Sequence, residues 1–251
     1  MSDHAQLTMQ IRNLKLSGML EHLDTRLLEA EQNDLSHPEF LSMILTDELE
    51  TRTARKISRL LHSAGLGTDK TLETFDFAFN PTINQKLIRS LSTCRFMDRG
   101  EGVFLLGPTG TGKTHLAKAL AHQACRRMYS VAFYSFHQLF SDLATADLRN
   151  RLSQLMTRLL RVDLLIIDDF GFKAFDQQAA ERFYTIVDKR FGSKSIILTS
   201  NRAMNDWGGL FPDPVIANAI LDRLAHTSHQ IIIKGQSYRK KMAPKNEAES
   251  K

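Results

Sequence analysis

Apolar residues recur at helical spacing over the first 61 residues. One set comprises Leu14, Met19, Leu20, Leu23, Leu27 and Leu28, and a second comprises Phe40, Leu41, Ile44, Leu45 and Leu49. Residues three or four positions apart share one face of a helix, so the pattern predicts two or three amphipathic helices with a break near 36–38. Gly65 and Gly67 then interrupt the pattern. We therefore predict a helical N-terminal module with its boundary near residue 70.

Short apolar runs alternate with longer helical patterns in the rest of the chain. The predicted strands are residues 103–106, 131–134, 164–167, 195–199 and 230–233. The predicted helices are residues 114–128, 137–145, 148–161, 177–191 and 214–225. Such alternation is typical of an α/β fold, in which helices cover both faces of a parallel sheet. We predict a helical module (1–70), a domain with a five-stranded parallel sheet (71–238) and a basic, polar tail (239–251).

The amino-acid composition indicates a globular protein. The hydrophobic fraction of 42% and the charged fraction of 24% are those of a globular chain, which argues against disorder. The longest apolar runs fall far short of the roughly 20 residues that span a bilayer, and the N-terminus does not resemble a secretory signal. We expect a soluble, cytoplasmic protein in which Cys94 and Cys125 are reduced thiols without a metal.

The segment 107–114 fits the pattern G-x-x-x-x-G-K-[ST] at every fixed position and lies between a predicted strand and a predicted helix. Its glycines allow backbone N–H groups to surround phosphate oxygens, and the helix N-terminus favours an anion. Lys113 supplies a cation for the β- and γ-phosphates, and the Thr114 hydroxyl is a ligand for Mg²⁺. We expect ATP binding by the whole segment: Gly107, Pro108, Thr109, Gly110, Thr111, Gly112, Lys113 and Thr114.

Two adjacent carboxylates follow the third predicted strand, where open α/β sheets place their ligand sites. This is a Walker B pattern, in which Asp168 is expected to hold Mg²⁺ and Asp169 to polarise the attacking water as general base. Asn201 follows the next strand, whose end would lie beside the γ-phosphate in a five-stranded P-loop sheet. We predict that Asn201 is a sensor residue for that phosphate.

These elements resemble the AAA+ ATPases, and further stretches narrow the resemblance to the IstB family. Members of that family are ATP-dependent helpers of insertion-sequence transposases and relatives of the DnaC-type helicase loaders. The resemblance is strongest over residues 74–240, in the stretches 74–77, 105–108, 168–171, 199–201, 207–208, 219–224 and 235–239. It implies an oligomer, as a ring or a helical assembly, in which Arg223 matches the arginine finger donated to a neighbour's nucleotide.

This chain departs from the pattern of many relatives, and the role of one matching residue stays open. Many relatives have Glu where this chain has Asp169, so turnover is expected to be slow. Phe75 and Phe77 lie where relatives approach the adenine base, and little sequence after Tyr238 is left to build a helical lid. Arg239 matches either a second sensor or a DNA contact.

Charge is unevenly distributed along the chain. Residues 1–75 carry 8 basic and 12 acidic residues, whereas residues 76–251 carry 25 basic and 16 acidic residues. A basic domain favours a polyanionic partner, here double-stranded DNA, because neutralising phosphates requires repeated cations. The candidate contacts are Arg149, Arg151, Arg158, Arg161, Arg182, Lys189, Arg190, Lys194, Lys240 and Lys241. The predicted helix 148–161, which carries four of them, is the leading candidate for the element that binds DNA.

The main hypothesis is an ATPase that assembles on DNA and recruits or activates a transposase. A helicase loader that binds a replicative helicase is the nearest alternative, since the two groups share their ATPase modules. A P-loop kinase acting on a small metabolite would need an acceptor pocket and a lid, which the sequence does not indicate. A protein that binds ATP as an assembly switch without hydrolysing it is a further alternative, and it would retain function after Asp169→Asn.

Overall fold

The computed structural model describes residues 3–238, which form two compact units that divide between Arg59 and Leu60. This division precedes the boundary predicted near residue 70. The reason is that Ala64 and Leu66 are buried in the hydrophobic core of the second unit. Each unit is described by itself below.

The first unit consists of helices α1 (Asp3–Asn13) and α2 (Ser17–Gln32) and of α3 up to Arg59; α3 begins at His37 and ends at Ser63. Their apolar faces meet at Ile11 and Leu23 of the first two helices, together with Ile44 of α3. Three helices agree with the two or three that the spacing of apolar residues predicted.

A buried carboxylate joins two helices of this unit. Glu48 of α3 accepts hydrogen bonds from the backbone N–H groups of Gly18 (2.6 Å) and Met19 (3.1 Å) at the start of α2. These N–H groups have no partner within their own helix, so the carboxylate satisfies them and complements the positive end of the helix dipole. The bonds to Glu48 fix α2 against α3.

The second unit contains a five-stranded sheet in which every neighbouring pair of strands is parallel. The strand order is β2-β3-β4-β1-β5. The strands are β1 (Gly102–Leu106), β2 (Val131–Ser135), β3 (Leu164–Asp168), β4 (Ser195–Ser200) and β5 (Ser228–Ile232). Every residue of β3 and β4 is buried, as expected for central strands covered on both faces. The prediction of a five-stranded parallel sheet is confirmed.

Seven α-helices accompany the sheet in the described residues. They are α4 (Gln85–Ser92), α5 (Arg95–Asp98), α6 (Lys113–Arg126), α7 (Phe136–Leu148), α8 (Leu152–Arg161), α9 (Gln177–Arg190) and α10 (Pro214–His226). The sequence pattern did not predict α4 and α5. The two helices predicted over 137–145 and 148–161 correspond to α7 and α8, but the break between them was placed too early. It lies after Leu148, because Asn150 adopts φ +54° in the left-handed region and separates α7 from α8.

Two hydrophobic clusters cover the two faces of the sheet. Successive residues of a strand point to opposite faces, so Phe104 joins one cluster with α7, α8, α9 and α10, whereas Leu105 joins the other with α4, α5 and α6. Cys94 and Cys125 are buried free thiols in the second cluster, and burial raises the pKa of each to about 11. Among residues 3–238, no helix has the length and apolar character needed to cross a membrane.

Candidate functional site

Gly110 and Gly112 are positions in the loop between β1 and α6 that a side chain could not occupy without strain. Gly110 has φ +83°, and a Cβ atom there would lie 2.1 Å from the Ser237 hydroxyl oxygen. Gly112 has φ +97°, and a Cβ atom would lie 2.8 Å from the ring of Phe75. Both positions combine a left-handed backbone with a neighbour in contact, so a larger residue would distort the loop.

Lys113 is the first residue of α6, and its side chain turns back into this loop. The ammonium group donates hydrogen bonds to the carbonyl oxygens of Gly107 and Pro108, both at 2.8 Å. The side chain is buried, with 6% of the residue exposed. A buried cation inside a glycine-rich loop at a helix N-terminus is the arrangement that P-loop proteins use for the β- and γ-phosphates.

Thr114 and Asp168 lie side by side next to the loop. The Thr114 hydroxyl donates to Asp168 Oδ1 at 3.0 Å, so a residue of α6 contacts the last residue of β3. Hydroxyl and carboxylate oxygens are the hard donors that Mg²⁺ prefers, and Mg²⁺ at such sites takes its other ligands from phosphates and water. The two residues therefore fit a Mg²⁺ ion. Within residues 3–238, no three His, Cys, Asp or Glu side chains are grouped so that they could hold a metal ion by themselves.

Asp169 lies in a strained turn directly after β3. Its φ of +55° is in the left-handed region, which costs a non-glycine residue roughly 1–2 kcal/mol. Hydrogen bonds with residues at the end of β4 offset this cost. The Asp169 N–H donates to the Thr199 hydroxyl (3.0 Å), the Phe170 N–H donates to the Thr199 carbonyl (2.7 Å), and the Ser200 hydroxyl donates to the Phe170 carbonyl (2.7 Å). The turn leaves Asp169 exposed.

A cleft of about 450 Å³ contains these groups. Its volume lies in the range of small-molecule and cofactor sites. Most of the lining comes from the loop, from the end of β3 and from the segment before α4: Lys70, Thr74, Phe75, Asp76, Phe79, Asn80, Thr109, Gly110, Thr111, Gly112, Lys113, Thr114, His115, Asp168, Asp169 and Tyr238. The cleft thus brings residues 109–114 of the predicted phosphate loop and both aspartates together with an aromatic wall, whereas Gly107 and Pro108 are not part of the described lining.

The aromatic wall is formed by Phe75, Phe79 and Tyr238. Phe79 and Tyr238 meet edge to face with ring centroids 4.8 Å apart. Phe75 lies in the wall, whereas the Phe77 ring contacts the Phe75 ring with centroids 4.7 Å apart and is not part of the described lining. Aromatic rings beside a phosphate loop provide a surface on which a nucleobase can stack.

The segment after β5 runs along the P-loop. The Ile233 N–H donates to the Leu106 carbonyl at 2.7 Å, and the Tyr238 N–H donates to the Gly110 carbonyl at 2.9 Å. The Asn80 side chain donates to the Lys234 carbonyl at 2.7 Å and thereby joins this segment to the residues before α4. Arg239, Lys240 and Lys241 lie outside the described residues.

Two of the predicted catalytic residues lie away from this cleft. Asn201 is exposed just after β4, and the described lining of the cleft does not include it. Arg223 lies on α10, where Nε and Nη2 contact Asp188 Oδ1 of α9 at 3.1 and 3.0 Å. Its guanidinium also lies 5.3 Å from the centre of the Tyr184 ring. Within one chain, the cleft therefore contains Lys113 and both aspartates without Arg223.

Arg190 is not a surface cation, so its prediction as a DNA contact was wrong. The residue is fully buried, and its guanidinium donates to the carbonyl oxygens of Leu159 (2.7 Å), Val162 (2.9 Å), Asp163 (3.2 Å) and Ser195 (2.6 Å). Burial lowers the pKa of Arg190 to about 10. It joins the end of α8 to the starts of β3 and β4, which is a structural role.

The other candidate DNA contacts fall into two groups. Arg182 pairs with Asp147, and Lys194 pairs with Asp163, so part of their charge is already neutralised. The exposed cations are Arg149, Arg151, Arg158, Arg161 and Lys189. Four of these five lie in α8 or in the turn before it, which keeps this element as the leading candidate.

Sequence reasoning assigned no role to Thr199 or to Phe79, Asn80 and Tyr238 in the cleft wall. A usable signal existed for Thr199, because it is a hydroxyl residue that directly follows three apolar residues of the predicted strand. Tyr238 belonged to a stretch that supported the family resemblance, but its return to the P-loop depends on a contact across 128 positions of the chain. Contacts of this range leave no local pattern.

Comparisons with known proteins agree with this geometry. A family model described as IstB-like ATP binding protein matches residues 9–246. A protein of Mycobacterium tuberculosis, named as an ATP-binding protein in an insertion sequence, is 42% identical over 235 residues, which cover 93% of this chain and 94% of that protein.

Among solved structures, the DnaC helicase loader superposes with a TM-score of 0.58 at 22% identity, covering 66% of this chain and 98% of that chain. DnaA bound to AMPPCP and single-stranded DNA superposes with a TM-score of 0.56 at 23% identity, covering 68% of this chain and 51% of that one. At such identities the likeness establishes the fold alone. That fold is the P-loop AAA+ domain.

Proposed function

Because the chain belongs to the IstB-like ATP-binding protein family, it is an ATP-binding AAA+ protein, and we propose that it hydrolyses ATP with Mg²⁺ while assembled on DNA. In this proposal the assembled protein assists a transposase. The observation that carries it is the placement of Thr114, Asp168 and Asp169 beside the buried ammonium of Lys113 in one cleft.

Each group in the cleft has a part in the proposed hydrolysis. Loop N–H groups and Lys113 bind the phosphates and stabilise the charge that develops during transfer. Thr114 and Asp168 would hold Mg²⁺, which supplies charge neutralisation on the phosphate oxygens when it is bound. Asp169, exposed in the cleft, orients the attacking water and accepts its proton. Asp169 is one methylene shorter than the Glu of many relatives, so slow turnover is expected.

Arg223 completes the site from a neighbouring subunit in this proposal. Its position on α10, outside the described lining of its own cleft, is consistent with donation to another copy of the chain. A guanidinium near the γ-phosphate stabilises the transition state and can raise the rate by several powers of ten. Hydrolysis then requires a homo-oligomer with head-to-tail contacts. Asn201 remains a proposed phosphate sensor.

Exposed arginines on and before α8 are the proposed DNA contacts. Arg149 and Arg151 precede the helix, and Arg158 and Arg161 lie in its last turns, so four cations follow one short element. Contacts of this kind to phosphates bind DNA without reading its sequence. The relatives' insertion-sequence names support a transposase as the protein partner, and the likeness to the DnaC loader keeps a replicative helicase as the alternative.

The decisive experiment measures ATP turnover by the purified protein with and without double-stranded DNA, together with the size of the assemblies. We expect turnover to rise with DNA, to follow the formation of large assemblies and to disappear in Lys113→Ala. Turnover by a monomer that ignores DNA would contradict the proposal and favour a kinase for small metabolites. Copurification of a transposase or of a replicative helicase with the tagged protein distinguishes the two partners.

A further inference from the structure

We propose that Thr199 is the residue of β4 that positions both Walker B aspartates, Asp168 and Asp169, for the chemistry of the cleft. This inference deepens the proposed function at the same site. Thr199 is fully buried at the penultimate position of β4, and its side chain reaches the end of β3.

One hydroxyl group makes both contacts. Thr199 Oγ1 donates its proton to Asp168 Oδ1 and accepts the backbone N–H of Asp169 at 3.0 Å. A threonine hydroxyl has one proton and two lone pairs, and an ionised carboxylate can only accept, so the direction of both bonds is fixed. The group therefore sets the rotation of one carboxylate and the backbone of the next residue at once.

The two contacts of Thr199 affect two different groups of the cleft. Asp168 Oδ1 receives the hydroxyls of Thr199 and Thr114, which leaves the carboxylate with one defined orientation towards the candidate Mg²⁺ position. Asp169 is kept in its left-handed conformation, so its side chain is presented to the cleft from a fixed backbone. Thr199 acts through these residues as a positioning residue.

Asn201 provides a contrast at the same strand end. It lies two residues beyond Thr199, is exposed and is not part of the described cleft lining. Substitution of Thr199 should therefore disturb the backbone amide of Asp169, whereas substitution of Asn201 should leave that amide as it is in the native protein. The two positions therefore give a matched comparison.

The first test uses the nucleotide-free protein and does not depend on hydrolysis. Asp168 and Asp169 form the only Asp-Asp pair in the sequence, so labelling aspartate with ¹⁵N and carbonyl ¹³C isolates the Asp169 amide signal. Removal of its acceptor in Thr199→Val should speed hydrogen exchange of this amide about tenfold, the effect of one hydrogen bond. Thr199→Ser keeps the hydroxyl and should exchange within about threefold of the native protein, as should Asn201→Ala.

The second test measures ATP turnover and nucleotide binding in the same variants. Thr199→Val should lower kcat about tenfold or more with KM for ATP changed less than about threefold, and Thr199→Ser should restore most of the rate. Unchanged exchange of the Asp169 amide in Thr199→Val would overturn the proposal. So would a Thr199→Ser variant whose kcat is as low as that of Thr199→Val, because Thr199→Ser keeps the hydroxyl that makes both contacts. If the native protein shows no ATP turnover, the proposed hydrolysis is contradicted. The exchange of the Asp169 amide still tests the role of Thr199, because that measurement does not depend on hydrolysis.

Discussion

Two nitrogens of the Arg223 guanidinium contact one carboxylate oxygen of Asp188, at 3.0 and 3.1 Å, in the same chain. The Arg223 side chain is partly exposed, so this ion pair is partly screened by water and contributes little to stability. It does restrict the side chain to one direction. In the proposed assembly, Asp188 therefore presents Arg223 to the neighbouring subunit.

A mixture of two inactive variants should recover activity if Arg223 acts between subunits. Lys113→Ala subunits lack the phosphate cation but retain Arg223, and Arg223→Ala subunits have the reverse defect. In an equal mixture about one interface in four joins an intact loop to an intact arginine, so turnover should reach up to about a quarter of the native rate. The measurement is ATP turnover of each variant alone and of the mixture at equal total protein.

Recovery requires that subunits exchange, which sizing of labelled mixtures can verify. If mixed assemblies form and turnover stays at the level of the separate variants, donation between subunits is wrong.

Substitution of Arg190 should damage stability and spare any surface function. Arg190→Ala leaves four buried carbonyl oxygens without their donor and creates a cavity, so we expect a destabilisation of about 3 kcal/mol or more. Its exposed neighbour offers a control, because Lys189→Ala should change stability by less than about 0.5 kcal/mol. Urea unfolding measures both. Equal stability of the two variants would refute the structural role of Arg190.

Removal of two exposed arginines of α8 should weaken the electrostatic contribution to DNA binding. For Arg158→Ala/Arg161→Ala, the slope of log K against log salt should become shallower by about 0.9 for each DNA phosphate that is no longer neutralised. A double variant with the same charge change on α4, Lys86→Ala/Arg89→Ala, serves as control. Fluorescence anisotropy of labelled duplex DNA at several salt concentrations provides the slopes. If both variants weaken binding by the same amount, α8 is not the element that binds DNA.

The buried thiols should make the protein less stable at alkaline pH. Burial raises the pKa of Cys94 and Cys125 from the ordinary value of 9.0 to about 11. The unfolded chain then releases these protons first, so the contribution is complete below pH 9 and disappears as pH rises towards 11. The free energy of unfolding should therefore fall less steeply over this range in Cys94→Ser/Cys125→Ala than in the native protein. Urea titrations at about pH 8 and about pH 10.5 compare the two slopes.

The sequence predicted those parts of the site that consist of consecutive residues. The phosphate loop and the aspartate pair each combine a strand end with a fixed order of side chains, so local pattern and chemistry coincide. The five strands were likewise predicted because each is a short apolar run between turn residues. Their limits shifted by one or two residues, as at β5, which begins at Ser228 instead of residue 230.

The parts that were missed depend on burial and on distant contacts. Arg190 looks like a surface cation in the sequence, since nothing in its neighbours reveals that it faces four carbonyls at the edge of the core. The break between α7 and α8 was predicted at 146–147 instead of 149–151, because its position depends on the left-handed backbone of Asn150, which the helical pattern does not reveal. The link from Thr199 to the aspartates joins two strands that are neighbours only in the folded sheet.

The position of β1 between β4 and β5 has a consequence for synthesis of the chain on the ribosome. Translation releases β1 well before residues 195–200 and 228–232, which provide both of its hydrogen-bonded neighbours. Until then the nascent chain carries an apolar strand with two open edges, a form that aggregates readily and that chaperones bind. The sheet can close, and the nucleotide loop can obtain its final shape, only when translation of this domain is nearly finished.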